Sequence, residues 1–224
     1  MKGRGYAMYK NAMKSVLLML SLCVLRLSAQ TVFVEGFEGY AGSNPTLWSR
    51  SNTTLILVVT NNATDLGKTH KVATGLRSVF FRDGENRTLV LQSANAVNVS
   101  DGDHVVVSYW ASQYGVAYES SDFLMLSAKF GTNAWVDVVK DAGQFDGGGT
   151  PGIPLAYTGT RIDLPNADGF STDFKAYWVK LPVSPGSATL LLKFTTNSGT
   201  SNEDFWIDDI GVEVRPRPTL MTIR

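Results

Sequence analysis

The sequence predicts an all-β protein, specifically a two-sheet antiparallel β-sandwich of the jelly-roll type with about ten strands and little or no helix. Short segments rich in β-branched and aromatic residues recur along the chain, and clusters of Gly, Asn, Asp, Ser and Pro separate them. No stretch repeats its apolar residues with the 3.6-residue period of a helix. The length of 224 residues suits one large β domain.

Each predicted strand is a short apolar run bounded by turn residues. In chain order the runs are 31–40, 55–60, 78–81, 87–92, 104–111, 122–130, 134–140, 175–183, 188–196 and 204–214. The dipeptide Asp83-Gly84 predicts a hairpin across residues 78–92, and Gly131–Asn133 predicts a second one across residues 122–140. Residues 141–174 are rich in Gly, Pro and Asp and predict a long surface connection or a functional loop.

The first 29 residues have the order of a secretory signal peptide. They carry five bases and no acid, an apolar run at Ser15–Leu27, and small residues before a cut after Ala29. A membrane anchor is the alternative, but the run is short for a bilayer and Arg26 interrupts its end. We therefore expect a signal peptide at 1–29, a jelly-roll domain at 30–214, a linker or tail at 215–224, and a secreted or cell-surface location.

Charge and cysteine usage exclude two classes of function. After residue 29 the chain has 15 bases against 20 acids, a net charge of −5, which argues against nucleic acid as a partner. The one cysteine, Cys23, lies in the predicted leader. The domain itself therefore has neither a disulfide nor a thiolate metal site, and an exported domain without disulfides suggests a bacterial source.

Catalytic motifs are scarce. The chain has two histidines, His70 and His104, and no HExxH motif, GxSxG elbow or phosphate loop. Asp137 and Asp141 lie four residues apart, but one such spacing is weak support for the two acids of a glycosidase. The sequence favours a noncatalytic protein and leaves a glycan-active hydrolase as a less favoured alternative.

Aromatic residues suggest where a ligand could bind. Trp110, Trp178 and Trp206 lie in predicted strands and are expected to pack in the interior. Tyr114, Tyr118 and Tyr157 lie in predicted loops and are our candidate ligand-binding residues, since sugars stack on exposed rings.

The two ends of the predicted domain together carry a family resemblance. The segment VFVEGFEGY near the start and FWIDDIGVEV near the end, with VVVSYWA and DFLMLSAKFGTNAWVDVVK between them, resemble secreted bacterial jelly-roll domains similar to MAM domains and galactose-binding-like carbohydrate-binding modules. The chain departs from animal MAM domains because it lacks their disulfide cysteines. The resemblance implies that the first and last strands lie side by side.

The resemblance also implies a structural calcium ion where those strands meet. By motif, Glu38 and Asp209 are the best candidate ligands and Asp208 is the next, with Asp65 in a loop that could complete the shell. Strand alternation places Asp208 and Asp209 on opposite faces, so both are not expected to bind one ion. Glu38 and Asp209 could instead be edge carboxylates paired with Lys68 or Lys71.

These observations predict a noncatalytic secreted module that binds an extracellular glycan, a cell surface or a surface polymer and holds a structural calcium. One alternative is a structural or adhesion domain of a larger surface protein without a small ligand. After cleavage of the leader, no membrane span is expected.

Overall fold

The computed structural model describes residues 29–40, 45–65, 68–82, 84–114, 122–142, 161–162, 173–181, 186–198 and 203–217. Fifteen strands and one short 3₁₀ helix, Ser93–Asn95, form within these ranges. The strands are β1 (Gln30–Glu35), β2 (Trp48–Arg50), β3 (Ile56–Thr60), β4 (Thr64–Asp65), β5 (Lys68–Thr69), β6 (Arg77–Phe81), β7 (Arg87–Leu91), β8 (Val97–Val99), β9 (His104–Tyr114), β10 (Phe123–Phe130), β11 (Val136–Ala142), β12 (Arg161–Ile162), β13 (Lys175–Lys180), β14 (Ala188–Asn197) and β15 (Asp204–Arg215). No helix in the described ranges has the length and apolar character needed to cross a bilayer.

The strands form two main sheets and a small hairpin. Sheet I has the order β12-β13-β9-β15-β6-β3, and β1 also pairs with β15. Sheet II has the order β11-β10-β14-β7-β2, and β8 also pairs with β14. Strands β4 and β5 pair with each other, and every pairing is antiparallel. The predicted all-β sandwich is confirmed.

The first and last strands are neighbours, as the resemblance implies. The ladder runs from Gln30 opposite Val214 to Glu35 opposite Ile210, with a bulge between Thr31 and Phe33. Strand β15 also pairs with β9 on its other side, so it is a central strand of sheet I. The chain therefore closes its domain by placing its last strand beside its first.

One predicted hairpin forms and the other does not. Strands β10 and β11 pair across the turn at Gly131–Asn133, as predicted. The hairpin predicted across residues 78–92 is wrong, because β6 belongs to sheet I and β7 to sheet II. The turn signal between them marks a crossing from one sheet to the other.

Apolar side chains from both sheets fill the space between them. Phe194 of sheet II is fully buried, with its ring centroid 6.1 Å from that of Trp48 and 5.2 Å from that of Tyr109 in sheet I. Tyr109 stacks on Tyr177 of the next strand at 5.1 Å. This aromatic group joins the two sheets at the centre of the sandwich.

The tryptophans of sheet I differ in burial. Trp206 is fully buried, as expected, and packs with Phe80 and Val59 in a second cluster. Trp178 is 38% exposed, so the expectation that it packs in the interior is wrong. Its neighbours Tyr177 and Val179 point inward, and strand alternation turns the Trp178 ring outward.

Replacing Phe194 with Ala tests the central position of this ring. We expect Phe194→Ala to lower the free energy of unfolding by about 3–5 kcal/mol in urea titrations, because it removes a large ring from a close-packed core. Leu76→Ala is the control, since Leu76 is 64% exposed, and it should change the free energy by no more than about 0.5 kcal/mol. Equal effects from the two substitutions would contradict the packing described above.

Candidate functional site

Two regions carry candidate functional groups: a carboxylate cluster where β1 meets β15, and the outward face of sheet II.

The bend that follows β1 positions Glu38, the first carboxylate of the cluster. The buried Glu35 carboxylate accepts the Phe37 N–H at 2.7 Å and the Tyr40 hydroxyl at 2.5 Å. Burial and the Glu35 carboxylate raise the pKa of Tyr40 to about 12, so its hydroxyl stays protonated and keeps donating. This bend holds Glu38 at the end of sheet I.

Glu38 binds the loop that leads into β6. Its Oε1 accepts the N–H of Leu76 at 2.7 Å and that of Arg77 at 2.9 Å. Gly75 has a φ of +65°, and a Cβ there would collide with Oε1 of Glu38. The glycine therefore permits both the left-handed backbone and the close approach of the carboxylate.

Asp209 reaches the same loop from β15. It lies where the β15–β9 register shifts between Asp208 and Gly211, and its φ is +46°. Its Oδ2 accepts the Thr74 hydroxyl at 2.6 Å. A Cβ placed on Gly36 would lie 3.1 Å from Oδ1 of Asp209 and 4.0 Å from Cγ of Glu38. The structure thus brings Glu38 and Asp209 to the two sides of one small space.

Asp208 has a different role from Asp209. It is fully buried, its Oδ2 accepts the N–H groups of Ala73 at 2.9 Å and Thr74 at 3.4 Å, and its Oδ1 accepts the N–H of Asp209 at 2.8 Å. Burial raises the pKa of Asp208 to about 7, with the Asp209 charge adding to the rise and these N–H groups opposing it. Both oxygens accept backbone N–H groups, so Asp208 anchors the loop to β15.

The residues present fit a calcium ion only with help from backbone oxygens. Within the described ranges, no three His, Cys, Asp or Glu side chains gather to hold a metal by themselves. Glu38 and Asp209 supply two carboxylates, and Oε2 of Glu38 and Oδ1 of Asp209 accept no hydrogen bond from the described residues. Calcium takes six to eight oxygens, many of them carbonyls, so two carboxylates beside exposed loop backbone suit it.

The other predicted participants lie elsewhere. Lys68 forms a buried ion pair with Asp204, rather than with Glu38 or Asp209. The backbone of Asp65 pairs with that of Lys68 in the β4-β5 hairpin, and the Asp65 side chain lies outside the described residues.

The outward face of sheet II is the second region. One register row crosses five strands through residues that alternate away from the core: Asp137, Ser127, Lys193, Val90 and Ser49. The next row holds Lys140, Met125, Thr195 and Thr88, and a third begins with Phe123 opposite Asn197. Short polar, long cationic and aromatic side chains are therefore mixed on one surface.

Two lysines on this face lie over aromatic rings. Nζ of Lys193 is 4.9 Å from the ring centroid of Trp135, and Nζ of Lys140 is 4.1 Å from that of Phe123. Both distances are within the range of cation–π attraction. The contacts hold the two ammonium groups and the two rings in a defined arrangement.

Two hydroxyl groups on this face are buried between longer neighbours. Ser127 donates to Oδ1 of Asp137 at 2.8 Å. Thr195 is 7% exposed, and within the described ranges its Oγ1 has no hydrogen-bond partner. Burying a hydroxyl without a hydrogen-bond partner lowers the free energy of unfolding, so stability does not explain a threonine at this position.

The candidate tyrosines remain untested by the structure. The backbone of Tyr114 ends β9 opposite Asp204, and its side chain lies outside the described residues. Tyr118, Tyr157 and nearly all of residues 143–172 also lie outside them.

His70 is buried against the rings of Phe80 and Trp206, and burial and the Lys68 charge lower its pKa.

Sequence reasoning missed the outward face of sheet II. The bulge in β11 puts Asp137 and Lys140, three residues apart, on one face against the alternation of their strand. Alternation in residues 188–196 shows which side chains of β14 share a face. It does not show that Lys193 lies opposite Ser127, since 66 residues separate them.

Comparisons with known proteins bear on the fold. No family model and no curated protein matches the sequence. Among solved structures, the chain is similar to a cyclase from Fischerella sp. TAU, with a TM-score of 0.53 and 12% identity over 86% of this chain and all of that one. It is also similar to the K3 cleaved adhesin domain of Lys-gingipain from Porphyromonas gingivalis, with a TM-score of 0.49 and 14% identity over 82% of this chain and 99% of that one.

A third similar structure contains a carbohydrate-binding module. It is the CBM22-1–GH10 part of a Clostridium thermocellum xylanase in complex with xylohexaose, with a TM-score of 0.50 and 13% identity over 84% of this chain. This chain spans only 29% of that structure. At such identities the likeness concerns the fold alone, and the predicted antiparallel β-sandwich of the jelly-roll type is confirmed.

Proposed function

We propose that the protein is a noncatalytic secreted module that binds an extracellular glycan or surface polymer on the outward face of sheet II. The observation that carries the proposal is the combination on that face of two aromatic rings, two lysines fixed over them and several short polar side chains. Sugars offer apolar ring faces and hydroxyl groups, and sites that bind them combine aromatic surfaces with a few polar groups.

The candidate tyrosines extend the proposed site. Strand β9 ends at Tyr114 and β10 begins at Phe123, so the connection that contains Tyr118 joins this face at the Phe123 end. Tyr157 belongs to the long segment before β13. We include Tyr114, Tyr118 and Tyr157 as ligand contacts, on the ground that loop tyrosines supply flat apolar surface with a polar tip.

The outward side chains of sheet II favour binding over hydrolysis. A glycosidase needs two carboxyl groups flanking the scissile bond. Among the described side chains on this face, Asp137 is the one carboxylate, and it is hydrogen-bonded to Ser127. A binding site needs no such pair.

An adhesion domain is the second candidate, and the outward face of sheet I favours it. Val32, Val34 and Trp178 are exposed there, with Val34 69% exposed. Exposed apolar residues grouped on one face are typical of surfaces that contact other proteins.

Binding to a polysaccharide array tests the first candidate against the second. We expect Trp135→Ala to weaken glycan binding about tenfold or more, because truncating a tryptophan that anchors a ligand typically costs about 2 kcal/mol or more. Replacing Tyr114 and Tyr118 by Ala should also weaken binding without unfolding the protein. Trp178→Ala is the matched control, because its ring is exposed on the opposite sheet.

Other binding results would change the sheet or the function to which the site is assigned. Glycan binding that depends on Trp178 and not on Trp135 would move the site to sheet I. A folded protein that binds no polysaccharide would favour the adhesion domain.

We also propose a structural calcium ion held by Glu38 and Asp209. Chelation with EDTA should lower the melting temperature by about 5–10 °C, because an ion present at 100 times its dissociation constant adds about 2.7 kcal/mol. Glu38→Gln and Asp209→Asn should each abolish this shift. An unchanged melting temperature together with no metal by elemental analysis would contradict the proposal.

Two glycines provide a further test of the same site. Gly75→Ala should displace Glu38, lower the free energy of unfolding by about 1–3 kcal/mol and remove the calcium response, because it introduces a side chain at positive φ against the carboxylate. Gly39→Ala is the control, since a Cβ there meets nothing within 4 Å. If both variants keep the wild-type response to EDTA in thermal melts, the Glu38 carboxylate is not a ligand.

A further inference from the structure

We infer that the ligand of the outward face of sheet II is an anionic polysaccharide, one that carries carboxylate or sulfate groups. The inference deepens the proposed function and rests on it. The chain after residue 29 has five more acids than bases. On this face the described charges have the opposite balance, because Lys129, Lys140 and Lys193 share it with the single carboxylate of Asp137.

Lys140 and Lys193 have no anionic partner among the residues that the structure describes. Lys140 and Lys193 contact the neutral rings of Phe123 and Trp135, and within the described residues neither forms an ion pair. The Asp137 carboxylate is engaged by the Ser127 hydroxyl. A ring contact covers one side of an ammonium group, and its other hydrogens stay available to the oxygens of a bound anion.

The ring contacts also prepare these lysines for binding. A free lysine side chain loses considerable rotamer entropy when a ligand immobilises it. Lys140 and Lys193 are already restrained over their rings, so less entropy is lost on binding an anion. The arrangement therefore favours charge recognition over a purely solvating role for the two lysines.

The spacing of the lysines suits a polymer. Lys140 lies opposite Met125, and Lys193 lies opposite Ser127 two residues further along β10. Two strand-to-strand steps and one two-residue step place their Cα atoms about 12 Å apart in a regular sheet. Nζ of Lys193 lies over Trp135, just before β11, and Nζ of Lys140 lies over Phe123, opposite the last residue of β11, so the rings hold the two ammonium groups apart. A chain with repeated acidic groups can contact both, whereas one small anion contacts one.

The unpaired Thr195 hydroxyl is an independent sign of an incomplete site. Thr195 lies opposite Met125 on the same face, next to the row that contains Lys193. Its Oγ1 is buried and has no hydrogen-bond partner among the described residues. Thr195 lies two residues from Lys193 on β14 and in the same row as Lys140, so its hydroxyl is adjacent to both lysine positions on this face.

Two pairs of polymers test the inference with the purified protein. Each pair has a common backbone and differs in charge: polygalacturonate against its fully methyl-esterified form, and dextran sulfate against dextran. We expect binding to at least one acidic member to exceed binding to its neutral partner by tenfold or more, and to weaken as sodium chloride is raised. The pair that responds tells whether the recognised group is carboxylate or sulfate.

Substitutions identify the charges responsible. Lys140→Gln and Lys193→Gln should each weaken binding to the acidic polymer about fivefold or more, as expected for loss of one charge-assisted contact. Lys180→Gln is the matched control, because Lys180 belongs to β13 of sheet I, and it should leave binding unchanged. Thermal melts check that each variant is folded.

The outcomes separate this inference from the proposed function. Equal binding to neutral polymers, or acidic binding that Lys180→Gln weakens as much as Lys193→Gln, overturns the inference. In the first case, loss of neutral binding in Trp135→Ala still supports a glycan-binding module. A folded protein that binds neither acidic nor neutral polysaccharides overturns both.

Discussion

The position of β15 in the middle of sheet I is the constraint on which the rest of the structure depends. This strand pairs with β9 along one edge, and on its other edge it pairs first with β6 and then with β1. Two strands that share one edge must meet at a junction, and the register of β15 shifts at that point, where Asp209 has positive φ. The bend after β1 and the loop before β6 arrive at the same junction. The cluster of Glu38 and Asp209 is therefore a consequence of the topology.

The sandwich fold could be predicted because apolar runs and turn residues identify strands from local sequence. The pairing of β1 with β15 was implied by the family resemblance that their two motifs carry. Local sequence does not determine which strands pair with each other, as the hairpin predicted across residues 78–92 shows. Phe81 pairs with Ile56 and Phe205, whereas Leu89 pairs with Phe194 and Arg50, so two consecutive strands lie in different sheets. A turn signal marks a change of direction, and it does not specify whether the next strand returns to the same sheet.

Residues of the candidate site could be predicted only where they lie within a recognisable local motif. Glu38 and Asp209 lie in the two terminal motifs, and the structure brings them together. The role of Asp208 depends on the bulge beside it and on the N–H groups of Ala73 and Thr74, which are more than 130 residues away in sequence. Trp178 shows a related limit, because Tyr177 and Trp178 are both aromatic and alternation cannot say which faces outward. Lys193 and Trp135 meet only through the register of β14 and β10, which no local pattern reveals.

The outward face of sheet II is difficult to explain by stability alone. A valine at position 195 would keep the shape of the side chain and remove an unpaired buried hydroxyl, whose burial costs about 1–3 kcal/mol. Lys140 and Lys193 lie over aromatic rings and pair with no carboxylate of the described residues, so their charge is likewise uncompensated there, and Asp137 is already bound to Ser127. Proteins retain such local costs where function requires them, since binding groups must be left unsatisfied in the free state in order to be satisfied by a ligand. The unpaired hydroxyl and the two restrained cations lie in adjacent rows of one sheet, and a single extended acidic ligand would compensate all three.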